Sequence, residues 1–196
     1  MTRRLIIGIS GASGAIYGIR ALQALRNHPN LETHLVLTPS GARTITEETP
    51  WSVRDVKALA SVVYPYSDIG SALASGSFKT MGMLVAPCSI KSLAGIAHSF
   101  ADNLLTRAAD VCLKERRLLV LLVREAPLHI GHLQLMTQAA QCGAVIMPPM
   151  PAFYAKPRSV DDIVDHTIGR ALDQFGIENN LVKRWRESQV PPLPEA

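Results

Sequence analysis

The chain has 196 residues, 47% of them apolar and 18% charged, which suits one globular domain with a sizeable core and excludes a disordered chain. Its net charge of +4 comes from scattered Lys and Arg with little aromatic interleaving, so nucleic acid is not an expected partner. An odd set of cysteines (Cys88, Cys112, Cys142), no apolar run near the roughly 20 residues of a membrane helix, and a strand beginning almost at once predict a cytoplasmic protein without a signal peptide or membrane span.

The segment RRLIIGISGASGAIYGIRAL, residues 3 to 22, is the most informative. An apolar run, Leu5–Ile9, reads as a buried strand. Gly8, Gly11, Ser13 and Gly14 follow, and then Ile16, Ile19, Leu22 and Leu25 take up helical spacing. Strand, glycine loop and helix together suit a phosphate, because small residues expose backbone N–H groups and the helix start carries partial positive charge. The spacing is neither that of a dinucleotide fold nor of a P-loop. Alone it fits a phosphate-bearing ligand or a tightly packed strand-to-helix turn equally.

Further strands are predicted at Thr33–Leu37, Gly82–Ala86, Leu118–Val123 and Ala144–Met147. Helices are predicted at Ala15–Arg26, Val53–Ala60, Leu93–His98, Leu104–Glu115, Leu133–Cys142 and Val160–Phe175. Residues 61 to 77 read as irregular. The alternation predicts an α/β fold, a single doubly wound, mostly parallel sheet with helices on both faces. One domain is expected over 1–188, with a proline-rich, poorly ordered tail at 189–196. Ligands of such folds sit beyond the carboxyl ends of the strands. That rule points to GASG (11–14), Thr38 onward, PCSIKS (87–92), REAPLH (124–129) and MPPMPAFY (147–154).

PCSIKS offers two hydroxyls and Lys91 at a helix start, where they suit a phosphate or a ring edge, though spacing alone favours capping by Ser89. Arg107 and Lys114 lie seven residues apart, two helical turns, and so share a face. Such a pair can neutralise a phosphate or simply be solvated. Arg116 and Arg117 read as structural or solvated. His129 and His132 have no Cys, Asp or Glu beside them to complete a metal site. Cys88 reads as a small buried residue, not a nucleophile.

Taken in order, GISGASGAIYG (8–18), PCSIKSLAGIAH (87–98), LLTRAADVCLKERRLLVLLVREAPLH (104–129), GAVIMPPMPAFY (143–154) and SVDDIV with Arg170 resemble the UbiX/Pad-type flavin prenyltransferases, also described as phenylacrylic acid decarboxylase-like flavoproteins. The resemblance covers residues 3 to about 186. It implies a Rossmann-like or flavodoxin-like subunit that binds FMN and assembles as a homododecamer built from trimers. It also implies metal-independent transfer of a dimethylallyl group from dimethylallyl monophosphate to N5, then C6, of reduced FMN. The prenylated FMN would serve a UbiD-type decarboxylase.

By position, the resemblance assigns FMN contacts to Gly11, Ala12, Ser13, Thr38, Ser89, Ile90, Lys91, Ser92 and Arg124. Thr38 stands where relatives often have Ser, and Pro39 departs from their pattern. Arg107, Lys114, Tyr154 and Arg170 would hold the prenyl phosphate, some of them from neighbouring subunits. Ser13, Glu48, Lys114 and Glu125 would act in catalysis, with Glu125 passing a proton to the leaving phosphate and Glu48 managing protons near the flavin. Trp51 is a candidate aromatic wall. Two other readings stay open: an FMN-dependent decarboxylase acting directly on a phenolic acid or a peptidyl cysteine, with His98 as its histidine, and a noncatalytic FMN-binding subunit of a decarboxylase complex.

Overall fold

The computed structural model describes residues 2–182 together with Arg184 and Trp185; the expected tail at 189–196 lies outside them. Six strands form one sheet: β1 (Arg3–Ile9), β2 (Leu31–Leu37), β3 (Val62–Tyr64), β4 (Gly82–Cys88), β5 (Leu118–Val123) and β6 (Ala144–Ile146). Their order is β3-β2-β1-β4-β5-β6 and every neighbouring pair is parallel. The sheet is therefore wholly parallel, and the strand order reverses between β1 and β4.

The near-continuous apolar runs of the sequence are explained by two cores, one on each face. Ile7, Ile9, Leu84, Val120 and Leu122 join the core that holds Ile19, Leu22, Ile168 and Leu172. Their strand neighbours Ile6, Met83, Val85, Leu119 and Leu121 join the opposite core, with Leu105, Ala108 and Cys112. The alternation is the period-two geometry of a strand buried on both sides. The first core packs under α1 (Ala15–Leu25) and α7 (Val160–Gln174), which Arg20 and Asp165 also tie together by an ion pair. The second packs under α4 (Ile90–Ala97), α5 (Leu104–Lys114) and α6 (Ile130–Gln141).

Two elements depart from the sequence reading. Residues Pro39–Glu48 form a helix, α2, followed by a short α3 (Val53–Lys57). Only Gly41 and Ile45 of α2 are buried, so its sequence carries no apolar period. It starts instead by local chemistry: Pro39 pre-sets the first helical φ, and the Thr38 hydroxyl accepts from the Gly41 N–H at 2.9 Å. The segment read as irregular contains β3, a three-residue edge strand paired with β2 at His34 to Val36. Its side chains are half-buried or exposed, too short a run to give a strand signature.

Candidate functional site

The reversal of strand order opens a crevice at the carboxyl ends of β1 and β4, and Ser10 fastens its base. Its hydroxyl donates to the Pro87 carbonyl at 2.8 Å and accepts from the Ser89 N–H at 2.7 Å. Ser10 is almost fully buried. The sequence reading passed over it; the signal was a lone polar residue placed between a buried strand and the first glycine of the loop.

Beyond Ser10 the chain turns through Gly11, Ala12 and Ser13 to Gly14, which caps α1 in the left-handed region at φ 99°. The Gly14 N–H donates to the Glu48 carboxylate at 2.7 Å, so the last residue of α2 sits at the positive start of α1. Gly11 is required by proximity: a Cβ there would fall 2.3 Å from the Cβ of Ser40. Gly18 serves the same end one helical turn on, because its Cβ would meet the Ala86 carbonyl oxygen at 2.3 Å. Glycine thus lets α1 and α2 close on the strand ends.

These loops line a cleft of about 770 Å³. Gly11, Thr38, Pro39 and Ser40 form one wall; Ser89, Lys91, Ser92 and His98 form another, and Asn103 and Thr106 lie at the start of α5. The volume is that of a site for a cofactor-sized ligand. Ser89 both caps α4, accepting from the Ser92 N–H at 3.3 Å, and faces the cleft. The capping reading of that residue therefore holds, and its place at the cleft is compatible with the other. The aromatic lining comes from Tyr66 and Phe100. Trp51, the candidate wall, packs instead against the α1/α7 core. Phe100 was missed because it lies in a polar loop, where one aromatic has no period to announce it.

Arg124 follows β5 with its N–H on the Cys88 carbonyl at 3.1 Å, beside the same strand ends. Its charge reaches Tyr17 of α1, whose hydroxyl is nonetheless raised above the ordinary tyrosine range because burial outweighs it. Glu125 is exposed next to it and accepts from the Ala126 N–H at 3.0 Å. Cys88 is fully buried, and burial pushes its thiol up to about 12; it is no nucleophile at neutral pH.

The remaining site residues read from the sequence do not line this cleft. Arg107 reaches Asp110 at 2.7 Å and the Ala74 carbonyl at 3.2 Å. Lys114, at the far end of α5, pairs with Glu115. Tyr154 and Arg170 sit by α7, where Arg170 pairs with Asp173 at 2.8 Å and the Tyr154 hydroxyl lies 3.0 Å from His166 Nε2. Within the chain the residues fall into three groups. The rings of His129 and His132 lie 3.6 Å apart, and among the described residues no three metal-ligating side chains cluster.

The Flavoprotein family profile matches residues 1–172. The chain belongs to that family. It is 59% identical over 186 residues to flavin prenyltransferase UbiX of Escherichia coli strain K12, covering 94% of this chain and 98% of that one. It is 55% identical to the UbiX of Thauera aromatica, covering 98% and 99%. Among solved structures, AnUbiX (PadA1) in complex with FMN and dimethylallyl pyrophosphate superposes with a TM-score of 0.92 at 46% identity, covering 94% of this chain and 98% of that one. A dodecameric FMN-dependent UbiX-like decarboxylase from Escherichia coli O157:H7 gives 0.91 at 52% identity, covering 93% and 98%. The peptidyl-cysteine decarboxylase EpiD, at 18% identity and a TM-score of 0.57, shares the fold alone.

Proposed function

We propose that this chain is a flavin prenyltransferase that joins the dimethylallyl group of dimethylallyl monophosphate to N5, and then C6, of reduced FMN. The observation that carries the reading is the cleft at the β1–β4 divide, built by glycine and serine loops in a chain so similar to flavin prenyltransferases along nearly its full length. Reduced FMN supplies the nucleophilic ring atoms. Its fit rests on the cleft: a volume of about 770 Å³, the close approach that Gly11 permits, and hydroxyls from Thr38, Ser89 and Ser92. Ala12, Ser13, Ile90, Lys91 and Arg124 complete that set.

The chain's own work is on the phosphate. Breaking the allylic carbon–oxygen bond leaves an anion, which Arg107, Lys114, Arg170 and the Tyr154 hydroxyl would hold. Glu125 would pass a proton to the departing phosphate, and the Glu48 carboxylate holds the flavin loop through Gly14. Because these groups stand apart in one subunit, the complete pocket forms between subunits of a homo-oligomer, a dodecamer built from trimers. Apolar side chains open to solvent support such contacts: Ile130 is 70% exposed, Phe153 75% and Val160 74%. The reading further takes residues 1–188 as one FMN-binding unit, places the protein in the cytoplasm, and gives its product to a UbiD-type decarboxylase.

The test is anaerobic. Protein, reduced FMN and dimethylallyl monophosphate are mixed and the extracted flavin is weighed by mass spectrometry, with dimethylallyl pyrophosphate in a parallel sample. A gain of one five-carbon prenyl unit is expected. Unmodified FMN at full occupancy would transfer the assignment to direct decarboxylation or to a carrier role.

A further inference from the structure

The Tyr154 hydroxyl lies within hydrogen-bond distance of an imidazole. Tyr154 belongs to a single 3-10 turn, Phe153–Ala155, between β6 and α7, and it is 45% exposed. So short a turn does little to fix the phenol, whose ring meets Trp185 edge to face with centroids 5.4 Å apart. His166 meets the hydroxyl end: it is buried on α7, its Nε2 lies 3.0 Å from the phenol oxygen, and the two rings meet edge to face at 82°. The helix beneath is anchored by a capping box between Ser159 and Asp162. The imidazole also lines a cavity of about 340 Å³ with Lys156 and Arg158.

We propose that His166 is a positioning residue for the prenyl phosphate, donating Nε2–H to the Tyr154 oxygen so that the phenol proton is left free to point at the phosphate. This rests on the assignment of Tyr154 to the phosphate pocket. A neutral imidazole carries one N–H. In the opposite tautomer Nε2 would accept the phenol proton, and none would remain for the ligand. Burial and the Arg170 charge lower the His166 pKa, against the pull of Asp173. Lys156 and Arg158 on the cavity wall add to the cationic side, with Asp162 opposing them.

Kinetics with reduced FMN and varied dimethylallyl monophosphate test the proposal in the assembled protein. Tyr154→Phe and His166→Phe should each raise KM about tenfold to a hundredfold, the worth of one hydrogen bond to a charged group. The kcat should fall as well in these two variants, because the hydroxyl would also hold the charge that develops on the phosphate as its bond breaks. The double variant should lose no more than either single one. His166→Gln, which sets an amide N–H near the Nε2 position, should recover most of the loss, whereas His166→Asn should not. FMN affinity should be unchanged in all of them. A normal KM in His166→Phe with a raised one in Tyr154→Phe would overturn the positioning role alone. So would additive losses, or Gln no better than Asn, the comparison that decides if the Phe variant fails to assemble. A normal KM in Tyr154→Phe would remove Tyr154 from the phosphate pocket, and the proposal with it.

Discussion

At the divide between β1 and β4, polar groups turn inward around an open volume, whereas on α5 and α7 the cations Arg107, Lys114 and Arg170 already have carboxylate partners. The first region is lined within one chain by loops at the ends of adjacent parallel strands. The second is spread along helices: Arg107 follows the cleft-lining Thr106 at the start of α5, Lys114 ends that helix, and Arg170 lies on α7. Exposed pairs such as Lys114 with Glu115 contribute little, because water screens them. A substrate phosphate, or a carboxylate brought by a neighbouring subunit, can therefore exchange with them at little cost. On the proposed function, flavin binding would belong to the single chain and phosphate binding to the assembly.

The sharpest way to break that contrast is Lys114→Ala. Turnover should fall about 100-fold, the usual cost of losing one group that stabilises developing charge, while FMN affinity measured by fluorescence titration stays within about twofold. Parallel loss of FMN binding would show that the two regions are not separable. Gly11→Ala probes the other side. The added Cβ forces Ser40 and the start of α2 to move, at about 1–3 kcal/mol. FMN affinity should fall about tenfold with no change in the state of assembly; an unaltered affinity would mean that the tight approach does not shape the cleft.

The smallest effect concerns Asp173. Its carboxyl is held below the usual range first by the Arg184 hydrogen bond and then by Arg170, against burial. A depressed carboxylate stabilises the fold above its unfolded pKa near 4 and loses that contribution as pH falls through the folded value. Asp173→Asn should therefore cost up to about 1 kcal/mol in urea unfolding at neutral pH, and the gap from the parent should close as pH falls through the lowered carboxyl value. A gap that persists in acid would assign the effect to packing.

Much of this was readable from residues alone, for a physical reason. Strands buried on both faces must be apolar throughout, so Leu5–Ile9 and Leu118–Val123 announce themselves. Parallel topology then fixes that GASG and PCSIKS share one edge. What escaped detection was held by single polar contacts. Helix α2 is stabilised by the Thr38 cap and the Pro39 ring, neither of which leaves a periodic trace. Ser10 does its work across 77 residues of sequence, and the grouping of Arg107 with Ala74 depends on where a crossover happens to lie. Spacing along a helix correctly put Arg107 and Lys114 two turns apart but could not say that each already holds an acidic partner.

The bond from the Gly14 N–H to Glu48 has a further consequence. It ties the flavin loop to the end of a helix, so the loop is anchored by the protein's own carboxylate. Its conformational entropy is given up during folding and need not be surrendered again on encounter. Affinity for the acceptor would then be governed by the rate of escape more than by the rate of capture. An enzyme whose product must leave for another protein would gain from a different device that loosens the grip after reaction. The counterweight would lie in the second region, where the partners of the cations are exchangeable.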